Sequence, residues 1–119
     1  MERDVALFPN DKIGDALWKI QQAGEDLEKV REMEFSVLFP SQTLALQFGQ
    51  LLLENSQKLS CTPFQNNEAL PWEITTYPEM VLNYENISAY QALLETSSAS
   101  LQGQFDGFYC LSLSSIWPF

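Results

Sequence analysis

The sequence predicts an α/β protein of the α+β sandwich class. It reads as a ferredoxin-like βαββαβ unit preceded by one extra helix, with a four-stranded antiparallel sheet and the helices on one face. Three observations carry this. Met33, Phe35, Val37 and Phe39 recur at spacing two with Glu34 and Ser36 between them, giving a strand with one apolar and one mixed face. Pro40 and Ser41 then break the ladder, and Leu44, Phe48, Leu51 and Leu52 follow at i, i+4, i+7 and i+8, the stripe of an amphipathic helix. The remainder continues in the order strand, strand, helix, strand, so this first strand and helix form the layer to which the rest is added.

Taken in order, residues 1 to 9 are a short lead-in ending at Phe8-Pro9. Asn10 or Asp11 caps a first helix that reaches about Ala23, with Asp15 near its positive end. Ile13, Leu17 and Ile20 face the core, and Gly24 stands where a helix-ending glycine belongs. Gly14 weakens the first turn by about 1 kcal/mol relative to alanine. Glu25 to Glu32 reads as a charged connector anchored by Leu27 and Val30. The strand and the helix already described come next, the helix stopping near Asn55-Ser56. Lys58 to Phe64 alternates through Leu59 and Cys61 to Pro63, which suits an edge strand.

Gln65-Asn66-Asn67-Glu68 is a polar turn. Pro71 to Tyr77 is a third strand with Trp72, Ile74 and Thr76 on one face and Glu73, Thr75 and Tyr77 on the other. Pro78 ends it, and Met80-Val81-Leu82 is an apolar bridge. Asn83 caps a helix from Tyr84 to about Ser100, with Ile87, Tyr90, Leu94 and Leu101 as its core stripe. Gly103 stops that helix, Phe105 to Leu113 is the last strand, and Ser114 to Phe119 is a tail.

Right-handed crossovers reduce this order to a sheet arranged fourth, first, third, second. Cys61 and Cys110 then lie three strand spacings apart, about 14 Å, too far for a disulfide. Free thiols, and a reducing compartment, are expected.

The 119 residues make one domain, residues 1–119, and 45% hydrophobic content argues for a folded core. No apolar run is long enough to span a membrane and no signal peptide is visible, so a cytoplasmic location is expected. The formal net charge is −10, from 16 acidic and 6 basic residues, and Lys58 is the last basic residue in the chain. Such a field repels nucleic-acid phosphates and favours a protein partner with a basic segment. Its plainer reading is a surface that keeps the protein soluble.

There is no histidine, so no serine or cysteine nucleophile with a histidine base can be built. No cofactor loop, metal-ligand spacing or catalytic residue is assigned. Asp11 and Asp15 read as dipole-complementing charges at a helix start rather than an acid–base pair. Trp72 reads as a core residue under a helix, with an exposed anchor for a partner as the alternative. Glu25, Asp26, Glu28, Glu32 and Glu34 form either a solvated face or a receptor for arginines. Asp106-Gly107-Phe108 reads as turn chemistry with glycine at a bulge or bend, with the shaping of a recognition surface as an equal alternative. Leu111, Leu113, Ile116, Trp117 and Phe119 make an apolar tail suited to self-association as a homodimer or to partner binding if it is not folded back.

Several pieces, in this order, resemble the RraB-type regulators of ribonuclease activity, protein inhibitors of the endoribonuclease RNase E. They are Phe8-Pro9, Gly14-Asp15-Ala16-Leu17, Gly24-x-Asp26-Leu27, Arg31-x-Met33-x-Phe35, Phe39-Pro40, Ala45 with Phe48, Pro71-Trp72-Glu73-Ile74, Met80, Ile87 and Asp106-Gly107-Phe108. The likeness covers about residues 8–110, leaving 111–119 as a C-terminal extension. The family pattern has tryptophan where this chain has Phe108. The resemblance implies a bacterial, acidic, non-enzymatic protein of this fold that binds an RNase E-type ribonuclease rather than its RNA. The candidate partner-binding residues are Asp11, Asp15, Glu25, Asp26, Glu28, Trp72, Glu73, Asp106 and Phe108. An immunity or antitoxin-like inhibitor of a toxin is the alternative, and a small hydrolase acting through Asp15 and Asp106 a more distant one.

Overall fold

The computed structural model describes residues 5–22, 24, 27–65, 67–110 and 117–118, with the backbone alone at 109–110 and 117–118. The elements run α1 (Lys12–Gln22), β1 (Val30–Phe39), α2 (Gln42–Glu54), β2 (Leu59–Pro63), β3 (Trp72–Thr76), β4 (Glu79–Val81), α3 (Tyr84–Ala99), β5 (Gln104–Cys110) and β6 (Trp117–Pro118). The sheet order is β2-β3-β1-β5-β6, antiparallel throughout, with β4 also paired to β1. Its centre, β5-β1-β3-β2, is the order expected from the chain. The sheet nevertheless has six strands rather than four, because β4 and β6 extend it.

Helix starts follow the side-chain chemistry read from the sequence. Ser41 Oγ accepts from Leu44 N–H at 3.2 Å and Asn83 Oδ1 from Asn86 N–H at 2.8 Å. Asp11 Oδ1 accepts from Gly14 N–H at 2.8 Å. Gly14 is no defect in α1: a Cβ there would sit 1.8 Å from the carbonyl oxygen of Pro9, so only glycine lets the lead-in cross the helix start.

Two expectations about core positions need correction. Val30 is no anchor; it is 64% exposed and belongs to β1, because Val81 of β4 pairs with it and draws the end of the acidic connector into the ladder. In α2 the buried residues are Ala45, Phe48, Gly49 and Leu52. Leu51, one residue and about 100° of helix away from Leu52, is 39% exposed. Leu27 does pack against the core, as do Leu44, Tyr90 and Leu101.

The core lies between the helices and one sheet face. Met33, Phe35, Val37 and Phe39 are fully buried there with Leu17, Ile20, Phe48, Ile74, Ile87 and Leu94. Phe35 stacks on Phe108 at a centroid distance of 5.6 Å and meets Tyr90 edge-on at 4.8 Å. The β1–β5 register shifts between Ser36 and Val37, leaving Asp106 as the extra residue of a bulge whose Gly107 has φ 153°. Cys61 is a free thiol, its pKa pushed up by burial. The side chain of Cys110, the strand end at 111–113 and the apolar tail at 111–116 and 119 lie outside the described residues.

Candidate protein-binding face

Side chains alternate along a strand, so the residues between the core positions of β1 point to the sheet face turned away from the helices. Glu32, Glu34, Ser36 and Leu38 stand there, beside Glu73, Thr75 and Tyr77 of the β3 segment and Ser60 and Thr62 of β2, with the Asp106 bulge on the β5 side. Small hydroxyl residues occupy its middle: Ser36 and Thr75 are buried and their oxygens are 3.4 Å apart. One end is tied by Ser60 Oγ and the Tyr77 hydroxyl at 2.9 Å, and by Lys58 Nζ, 3.3 Å from Glu32 and 5.4 Å above the Tyr77 ring.

The acids on this face are not relaxed. Burial raises the pKa of Glu73, and the nearby Asp106 and Glu34 raise it further, while a hydrogen bond from the Ser36 hydroxyl pulls the other way. Glu34 is raised by burial and by Glu32. Carboxylates crowded this way are stabilised by an incoming cation, most strongly by a guanidinium that bonds two oxygens at once.

The candidate residues do not form one cluster. Glu73 and Asp106 meet on the open sheet face. Asp11 sits instead at the α1 start, where it also accepts a hydrogen bond from the Tyr84 hydroxyl, which raises the Tyr84 pKa. Asp15 is exposed on the first turn of α1. Glu28 is exposed at the rim of a cavity of about 470 Å³ lined by Leu7, Phe8, Leu17, Leu27 and Leu82. Trp72 is half-buried, pairs with Phe39 and Pro63, and packs against the core. Phe108 is 1% exposed and stacked on Phe35, so it supports the sheet from inside and offers no surface to a partner. Glu25 and Asp26 lie outside the described residues.

Sequence reasoning placed Glu34 and Glu32 in a charge run with the connector. It did not join them to Glu73 across the sheet, and although it set Ser36 beside Glu34 and Tyr77 on the face of Glu73, it did not count Ser36, Lys58 or Tyr77 among the candidate residues. The signal was the period-two alternation itself: whatever is not on the core parity of β1 and β3 shares the opposite face. Among the described residues no three His, Cys, Asp or Glu side chains converge to hold a metal ion, and no helix is long and apolar enough to cross a membrane.

An antiparallel sheet with helices on one face and acidic side chains on the other defines a mixed α+β fold. Residues 10–110 match the family described as Regulator of ribonuclease activity B, and the chain belongs to this RraB family. A comparison with curated proteins finds no match. The family is one of regulators, not catalysts.

Proposed function

We propose that this protein is a non-enzymatic regulator that binds a basic segment of a ribonuclease of RNase E type, altering RNA processing without contacting RNA. The observation that carries the proposal is the acidic open face, where burial raises the pKa of Glu73 and the nearby Asp106 and Glu34 raise it further, so that a cation placed among them would be favoured. Lys58 is already engaged with Glu32 and does not neutralise them. Among the candidate residues Glu73 and Asp106 make the contact, joined by Glu34. Asp11, Asp15 and Glu28 contribute to the long-range field that steers a basic partner. Such a partner places the work of the protein in the cytoplasm.

The test is binding of an arginine-rich peptide from such a ribonuclease, measured by calorimetry at rising salt. Affinity is expected to fall steeply, since exposed charges are screened within about 8 Å at physiological ionic strength. The double variant Glu73→Gln with Asp106→Asn should bind about tenfold or more weakly. Affinity unaffected by salt and by both substitutions would refute the proposal.

A further inference from the structure

A second surface lies on the helix side. A groove of about 320 Å³ runs between α2 and α3, with Leu51 and Leu52 on one wall and Tyr90, Leu93 and Leu94 on the other. Past Tyr90 it opens into a hollow of about 460 Å³ beside Met80 and Ala89, and another of about 450 Å³ beside Tyr77 and Pro78. Tyr90 is common to all three and is held firmly. Its hydroxyl donates to Gln57 Oε1 at 2.9 Å and its ring stands edge-on to Phe35. Leu93, 55% exposed, and Leu51 stand on the rims, outside the core.

The two helices that wall this apolar trough carry charge of one sign. Helices α2 and α3 carry Glu54, Glu85 and Glu95 and no lysine or arginine. Glu79 is exposed at the rim of both outer hollows, and the lysine at that end, Lys58, is paired with Glu32. The main trough is walled by helices whose backbone groups are bonded within themselves, so no row of donors and acceptors is offered to an added strand. Apolar anchors in a helix-walled trough with an anionic rim fit helix-in-groove recognition.

We infer that this groove docks an amphipathic, cationic helix of a partner protein. Its apolar side chains lie on Leu51, Tyr90 and Leu93, and its lysines or arginines reach toward Glu79. This surface is distinct from the open sheet face and stands or falls separately.

The probe is a fluorescein-labelled model helix of about 18 residues, or about five turns, with leucines at i, i+3, i+4 and i+7 and lysines elsewhere. A scrambled peptide of the same composition is the control. The amphipathic peptide is expected to bind and to shift the Leu51 and Leu93 methyl resonances. The double variant Leu51→Ser with Leu93→Ser should weaken it about tenfold or more, and Glu79→Gln alone about twofold to threefold. Neither leucine is in the core, so the thermal midpoint should move by no more than about 2 °C. Equal binding of the scrambled peptide, or parental affinity in the leucine variant, overturns the inference. So does loss of binding on Glu73→Gln with Asp106→Asn, which would put the peptide on the other face.

Discussion

The two faces of strand β1 differ in chemistry far more than in burial. Toward the helices, Met33, Phe35, Val37 and Phe39 are fully buried among aliphatic and aromatic side chains. On the opposite side Ser36 and Leu38 are 4% and 3% exposed, nearly as enclosed, yet they share that face with Glu34, Glu73 and Asp106. The first face removes apolar surface from water and supplies most of the stability. The second holds hydroxyls and crowded carboxylates, which contribute little to folding and even oppose it. It is this second face that the proposed function gives to the partner.

The comparison breaks most readily at Phe35, which touches Tyr90, Phe105 and Phe108 at once. Phe35→Ala should cost about 3–5 kcal/mol in urea unfolding. A loss below about 1 kcal/mol would mean that the helix-covered face is not the main source of stability. On the open face Ser36→Ala should cost about 1 kcal/mol, because it leaves the buried Thr75 hydroxyl without that partner. The same variant should raise the Glu73 pKa further, since the Ser36 hydrogen bond is what lowers it. Carboxyl NMR titration reads this directly, and an unchanged or lowered value would separate Ser36 from Glu73.

The smallest effect has the opposite sign. Glu73 and Glu34 both have folded-state pKa values raised above the ordinary 4.5. Between that value and the raised one the native state holds more protons than the unfolded chain, so stability falls as pH rises through the window. Glu73→Gln should therefore stabilise the protein at pH 7, by less than about 1 kcal/mol given its partial exposure. The gain should shrink as the pH is lowered toward the ordinary carboxylate range. Thermal melts of both proteins at several pH values check this, and a destabilised variant at pH 7 would mean that Glu73 is held by a favourable contact.

Much of this was legible locally. The parity of β1, the caps at Ser41 and Asn83, and the bulge-forming Asp106-Gly107 each rest on a few neighbouring residues whose chemistry leaves little choice. Where the local pattern misled, a distant partner was responsible. Val30 looked like an anchor until β4 paired with it, and Leu51 fitted a helical stripe as well as Ala45 did. Phe108 looked available beside a turn, but the bulge at Asp106 turns it inward onto Phe35. The open face was the hardest to see, because Glu34, Glu73 and Asp106 are far apart in the chain and only strand register makes them neighbours.

By itself the amino-acid order determined the three helices, the four central strands and their order, the caps at Ser41 and Asn83 and the sign of the net charge, because periodicity, capping and composition act within a few residues or as sums. Only the tertiary structure decided which acids share a face, which leucines stay in water and where a groove remains between two helices. Those depend on register and on packing angles, and both are set by contacts between residues dozens of positions apart.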